Sequence, residues 1–226
     1  MKPISAIVNA RLQSSRTKNK MVRPYCGTDL LEIALEKLNG LDFFEHRYLA
    51  VAEDELARKA ERYPNIEVLR RKPEAVAPGP HHPMITFEHY LRVPTEYFFV
   101  INPCAAFLSR ETIRTAFDEF QQTDFRSYIA VEQTRDWVFS ANGEALTHRN
   151  AAGFQNTSDG EYFLRATHAF YIANRDYFAS HDGQLWTLQK DDPHLVAMPG
   201  DEAIDVDTDL DFEISEYLYS KRIRAR

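Results

Sequence analysis

A chain of 226 residues, 44% hydrophobic and 27% charged, has the composition of one globular domain spanning residues 1–226, which excludes collagen, coiled coil and disorder as its main state. The net charge of −7 argues against a nucleic-acid partner, which asks for a basic footprint. No apolar run approaches the ~20 residues of a membrane span, the first apolar stretch is too short for a signal peptide, and Cys26 and Cys104 make neither a disulfide framework nor a metal spacing. No membrane partner is expected, and a reduced cytoplasm is the expected location.

Strand and helix signals alternate along the chain. Ser5-Ala6-Ile7-Val8 reads as a buried strand. Thr28 then offers an N-cap to a helix carrying Leu31, Ala34, Leu35 and Leu38, with Gly40 at its end. Tyr48 to Val51 is a strand. Leu56, Ala57, Ala60 and Tyr63 mark a helix stopped by Pro64. Ile66 to Leu69 is a strand, and Met84, Phe87 and Leu91 predict a helix with Pro83 in its first turn. Tyr97 to Ile101 is a central strand. Ser109 caps a helix with Ile113, Ala116, Phe117 and Phe120 on one face. Tyr128 to Val131 is a further strand. Residues 136–165, from Asp136 to Arg165, are polar, contain three glycines and lack a period; they read as an excursion, a flap or an oligomer arm. Ala169 to Ile172 returns to the core, and Leu210, Ile214, Tyr217 and Leu218 predict a final helix. This alternation implies an α/β fold, a mostly parallel sheet with helices on both faces. Its ligands are expected at the carboxyl ends of the strands.

Charge is segregated along the chain. Residues 1–28 carry Lys2, Arg11, Arg16, Lys18, Lys20 and Arg23 and no acid, whereas residues 200–219 carry eight acids and no Lys or Arg. The turn after the first strand has no glycine before Gly27, so neither the dinucleotide fingerprint nor the Walker loop fits there. Yet Ser14 and Ser15 are potential donors to phosphate oxygens, Arg11 and Arg16 can each grip two, and Lys20 adds a compact charge. A solvated basic loop has the same composition. In an extended segment Asp205 and Asp207 share one face while Ile204 and Val206 fill the other, an arrangement that suits Mg²⁺. The acids also suit a helix N-terminus, with Thr208 or Asp209 as its cap. The histidines show no zinc spacing, and Cys104 is expected to pack rather than react.

Taken together, these segments resemble the acylneuraminate cytidylyltransferase (CMP-sialic acid synthetase) family. Ala6-Ile7-Val8-Asn9-Ala10-Arg11 stands where that family has an IPAR strand end, and Lys20 keeps its nine-residue spacing from Arg11. The Ser14-Ser15-Arg16 centre is closer to Kdo-activating and spore-coat polysaccharide relatives. Asn102 to Leu108 stands at the family's LQPTSPL, Ala203 to Asp211 at its IDIDTPEDL, and Lys72-Pro73-Glu74, with Arg71 beside it, at its RPEELA. The resemblance implies a Rossmann-like nucleotidyltransferase sheet. It implies transfer of CMP from CTP to the anomeric hydroxyl of an acidic nonulosonic (sialic-type) sugar, with release of pyrophosphate. By the same resemblance Asn9, Ala10, Arg11, Ser14, Ser15, Arg16, Lys20, Arg71 and Lys72 bind the nucleotide. Asp205 and Asp207 hold Mg²⁺, Arg11, Lys20 and Asp207 carry the chemistry, Asn102 and Gln155 meet the acceptor, and the 136–165 excursion is a homodimer arm.

The chain departs from that pattern in places. Lys18-Asn19 replaces a Pro-Gly, Asn102 replaces a Gln, and Cys104-Ala105-Ala106 replaces Thr-Ser-Pro. The acid that accompanies Kdo activation is absent. A same-fold enzyme using another nucleotide, and a non-catalytic nucleotide or sugar binder, remain the rival readings.

Overall fold

The computed structural model describes residues 1–14, 16–147 and 162–224. Seven strands form one sheet in the order β3-β2-β1-β4-β6-β5-β7. They are β1 (Ile4–Asn9), β2 (His46–Val51), β3 (Glu67–Arg70), β4 (Tyr97–Ile101), β5 (Tyr128–Thr134), β6 (Phe163–Asn174) and β7 (His194–Ala197). The pairs β1–β2, β1–β4, β2–β3 and β5–β7 are parallel; β6 runs antiparallel between β4 and β5. The expected sheet is therefore present, of Rossmann-like order, with one reversed strand inserted in it. No helix of the described residues is long and apolar enough to cross a membrane.

The two faces are covered unequally. On one, α1 (Leu30–Asn39), α2 (Asp54–Ala60), α4 (Arg110–Gln122) and α6 (Asp209–Arg224) bury Leu35, Leu56, Phe117 and Phe212. On the other, a 3-10 turn at Glu88–Arg92 and the short α5 (Arg175–Ser180) place Tyr90 and Phe178 over Ile7, Phe98 and Val100. This face forms its own apolar cluster, separate from the larger core, because alternate residues of a strand point to opposite sides.

Four expectations are corrected. First, Asp29, not Thr28, caps α1: its carboxylate accepts from the Glu32 amide at 2.8 Å. Thr28 is already committed through its backbone to Tyr25 in a tight hairpin. Second, the helix over Met84 to Leu91 is a four-residue α3 (Pro83–Thr86) followed by the 3-10 turn. Phe87, at φ −121°, breaks it so that His89 and Tyr90 turn inward. Third, β6 begins at Phe163, pairing residues Phe163 to Arg165 with Thr134 to Glu132, so the excursion is shorter than expected at its far end. Fourth, α6 forms as expected but turned about its axis. Phe212 and Ser215 are buried, whereas Leu210, Ile214, Tyr217 and Leu218 face outward. Asp205 and Asp207 lie in an irregular segment, not a strand, although Val206 alone between them is fully buried.

Candidate active site

Chain order reverses between β1 and β4, so the crevice at their carboxyl ends is the topological switch point where such sheets bind ligands. Asn9 ends β1 and Asn102 follows β4. Into this crevice the fold brings the two charged poles of the sequence, some 190 residues apart. Arg16 grips Asp207 with both guanidinium nitrogens, at 2.7 and 2.9 Å. Lys20 Nζ donates to the Val206 carbonyl at 2.7 Å and lies 3.6 Å from Asp207. The Thr17 hydroxyl donates to the Asp207 carbonyl at 3.0 Å. Further along, Arg23 pairs with Asp209 and lies over the Phe212 ring, and Tyr25 bonds Ser215 at 2.6 Å. Asn19, at φ +53°, does the work of the glycine expected there, and its carbonyl accepts from the Val22 and Arg23 amides.

The Arg16–Asp207 pair is solvent-exposed, with side chains 62% and 37% accessible. Such pairs are worth about 0–1 kcal/mol, so this one adds little to the stability of the fold. Thr208 caps α6: its hydroxyl accepts from the Asp211 amide, and the Asp211 carboxylate accepts from the Thr208 amide and hydroxyl. Those bonds hold Asp211 below the usual carboxylate range. The two acidic roles thus divide: Asp211 serves the helix, and Asp205 and Asp207 face the crevice.

Asp205 is half-buried. Desolvation raises its carboxyl pKa, the charge of Asp207 raises it further, and Lys20 pulls it back. Asn102 holds Asp205 at 3.3 Å through its amide nitrogen, while its amide oxygen accepts from the Cys104 amide at 2.9 Å. Burial pushes the Cys104 thiol up to about 11, which makes it a packing residue and not a nucleophile.

The remaining expected residues are distributed as follows. Arg11 is exposed, with no hydrogen bond or ion pair among the described residues. Ala10 is buried, its amide held by Ala50. Ser14 Oγ accepts from the Thr17 amide at 3.4 Å. Arg71 is buried at the end of β3, bonded to the Ala75 and Thr86 carbonyls, with its Nε unpartnered. Lys72 is exposed beside Glu88. Asn9 is drawn to the thinner face: its amide donates to Tyr90 OH at 2.6 Å and its oxygen accepts from His89 Nε2 at 2.8 Å. Ser15 and Gln155 lie outside the described residues.

Sequence reasoning missed this support. His89 is fully buried, and desolvation, with help from Arg71 and Arg92, lowers its pKa to about 2, so it is neutral. Tyr90 and Tyr171 continue the chain of hydrogen bonds at 2.6 Å. Glu53, at the end of β2, accepts the Leu12 amide at 2.9 Å and so fixes the turn after β1. Only its place at a strand's carboxyl end could have marked it.

Residues 5–217 match the family model described as Cytidylyltransferase. A curated relative from Campylobacter coli, "Post-translational flagellin modification protein B", is 22% identical over 233 residues, covering 98% of this chain and 97% of the relative. A solved CMP:2-keto-3-deoxy-manno-octonic acid synthetase complexed with CTP shares the fold with a TM-score of 0.68 at 12% identity, over 98% of this chain and 100% of that one. So does the 4-diphosphocytidyl-2C-methyl-D-erythritol synthase of Anaerococcus prevotii, with a TM-score of 0.67 at 14% identity over 97% and 99%. The family match spans both charged poles and every strand between them, and the chain belongs to the cytidylyltransferase family.

Proposed function

We propose that this protein transfers CMP from CTP to the anomeric hydroxyl of an acidic nonulosonic (sialic-type) sugar, releasing pyrophosphate. The observation that carries the reading is the pairing of the basic turn after β1 with the acidic segment before α6. One side offers Arg11, Arg16 and Lys20 to a triphosphate, and the other offers two carboxylates to a cation. The flagellin-modification relative and the CTP complex of a sugar-acid synthetase point the same way.

Mg²⁺ fits Asp205 and Asp207. Burial raises the Asp205 carboxyl pKa and the charge of Asp207 raises it further, and a cation held by these two carboxylates would offset both effects. No cluster of three or more His, Cys, Asp or Glu that could hold a metal occurs among the described residues. Mg²⁺ takes one or two carboxylates and completes its shell with water and substrate phosphate. Bound there, Mg²⁺ neutralises charge on the phosphoryl oxygens.

The chain's own residues do the rest. Arrival of a triphosphate gives Arg16 a new anionic partner and frees Asp207. Lys20, fixed by the Val206 carbonyl, keeps its charge at the same spot in both states. Glu53 holds the Leu12 amide so that the turn stays open toward the ligand. Attack on the α-phosphate then needs in-line positioning and charge neutralisation. We assign the acceptor to the Asn102 side of the crevice and a homodimer contact to the 136–165 excursion, in whose described part Trp137, Phe139 and Leu146 are exposed.

The test is a thermal-shift panel of CTP, GTP, UTP and ATP, each with and without Mg²⁺. Selective stabilisation by CTP with Mg²⁺, lost in Asp207→Ala, is the expected result. Asp207→Ala loses the exposed Arg16 pair and the longer Lys20 contact but keeps the backbone bonds of Thr17 and Lys20, so it should stay within about 1 kcal/mol of wild-type stability without ligand and cut pyrophosphate release at least ~100-fold. No shift with any nucleotide, or near-normal release by Asp207→Ala, overturns the reading.

A further inference from the structure

His168 occupies a position that an L-residue adopts only under constraint. Its φ is +54°, inside β6. Such non-glycine conformations cost free energy and persist where surrounding structure imposes them, often at functional sites. Here the constraint is a buckle in the sheet. Val131 pairs with Ala166 and Ile129 with Tyr171, so residues 167–170 face Ala130 alone. The buckle is pinned on both sides: Thr167 and Ala169 are buried, the Thr167 hydroxyl reaches the Ala130 carbonyl at 3.3 Å, and the Ala169 carbonyl accepts the Asn102 amide at 2.9 Å. Between these anchors His168 is exposed.

The position lies on the crevice. Asn102, one hydrogen bond from the buckle, also holds Asp205, and the His168 ring interacts electrostatically with Asp205, which in turn interacts with Asp207 and Lys20. The ring makes no hydrogen bond or ion pair among the described residues. The other histidine near the crevice, His89, is buried and bonded to Asn9. Bulges next to active sites re-aim a side chain.

We propose that His168 is the general base of the reaction, an inference that rests on the cytidylyl-transfer reading above. The imidazole lone pair takes the proton of the acceptor hydroxyl as its oxygen bonds the α-phosphorus. The bond from that phosphorus to the bridging oxygen breaks, and pyrophosphate leaves with the electron pair. The imidazolium then returns its proton to solvent.

The test compares wild-type protein with His168→Gly, in which the backbone strain is relieved and the base removed. Both are assayed for pyrophosphate release with CTP, Mg²⁺ and a panel of 3-deoxy-2-keto sugar acids. A positioned general base is worth roughly 10²–10⁴-fold. The expected result is a fall of about 100-fold or more in kcat, an unchanged KM for CTP, an unchanged or higher melting temperature, and partial recovery of rate with added imidazole. Equal release by wild type and His168→Gly overturns the base assignment alone. So does a rate loss that imidazole does not restore and that accompanies a lower melting temperature. No release by the wild type overturns both this assignment and the proposed function.

Discussion

Lys37 illustrates how far a single residue can depart from what its type suggests. On α1 it continues a helix whose apolar positions point inward, and its ammonium ends in the protein, donating to the Ala105 carbonyl at 3.1 Å. Burial lowers its pKa from 10.5 to about 7; Glu202 opposes the shift and Arg110 and Arg222 add to it. Between those two values the unfolded chain holds more protons than the folded one, so stability rises with pH across that window. At and below pH 7 the buried charge costs most. Replacing Lys37 by Met removes the titration. The wild-type melting temperature should therefore climb relative to Lys37→Met between pH 6.5 and 9, and parallel curves for the two proteins would refute the burial argument. Such a lysine binds the segment after β4, which carries Asn102 and Cys104, to α1. At the same scale Asn19 shows how a local departure is absorbed: its side chain is among the few that tolerate the left-handed region, so the turn keeps its shape without glycine.

At the scale of the element, α6 separates periodicity from orientation. The spacing of Leu210, Ile214, Tyr217 and Leu218 does mark a helix, yet these four are exposed and the helix packs through Phe212, Ser215 and Tyr219. Phe212 meets the edge of Tyr25 at a ring-centroid distance of 5.3 Å and carries Arg23 over its face at 4.2 Å. The docking of α6 is what places the segment 204–208 against the turn after β1. Phe212→Ala should therefore destabilise the protein by about 3–5 kcal/mol, as buried aromatic truncations do, whereas Ile214→Ser should stay within roughly 0.5 kcal/mol. Denaturant titrations of both variants test this. Comparable losses would mean that the outward face is the one that packs. The helix can present two apolar faces because its acids and bases sit at the ends and flanks, and because Tyr25 and Phe107 supply a ready aromatic surface for the inner one.

For the whole molecule, the question is how an acidic chain would hold the triphosphate of the proposed reaction. The net charge is −7, but the crevice at the β1–β4 switch point gathers Arg11, Arg16 and Lys20 at one edge, with Asp205 and Asp207 facing them. A phosphate bound at the basic edge, as proposed, would meet a local charge opposite in sign to the net charge of the chain. The proposed homodimer belongs to this scale as well. The arm leaves Trp137, Phe139 and Leu146 at least half exposed, and Tyr162 beside β6 likewise. Grouped exposed aromatic residues are the kind of apolar patch an interaction surface uses, which supports the proposed dimer. The double variant Trp137→Ser, Phe139→Ser should shift the protein from the mass of two chains to that of one by light scattering, with little change in far-ultraviolet circular dichroism. A wild-type protein that is already monomeric at micromolar concentration would remove the arm from this role.

The sequence by itself determined six of the seven described strands, most of the longer helices and the two charged poles, because these depend on short-range pattern, whereas β7 (His194–Ala197) and α5 (Arg175–Ser180) were not among the elements expected from it. Apolar runs of four to five residues rich in Val, Ile, Tyr and Phe and bounded by turn residues read as strands, Ser109 caps α4 by its own hydroxyl, and the alternation of strand with helix points to a mostly parallel sheet. The spacing from Arg11 to Lys20 and the Asp205-Val206-Asp207 triplet were likewise legible as candidates for one site. Tertiary structure alone decided what depends on contacts between distant segments. It joined Arg16 to Asp207, chose the inward face of α6, buried His89 against Asn9 and used Glu53 to fix the turn after β1. Nothing in the neighbourhood of His168 announces its backbone conformation either. That conformation arises because β6 must place five residues, 167–171, against two positions of β5 while bonding Asn102 on its other side, a constraint that exists only once three strands lie side by side.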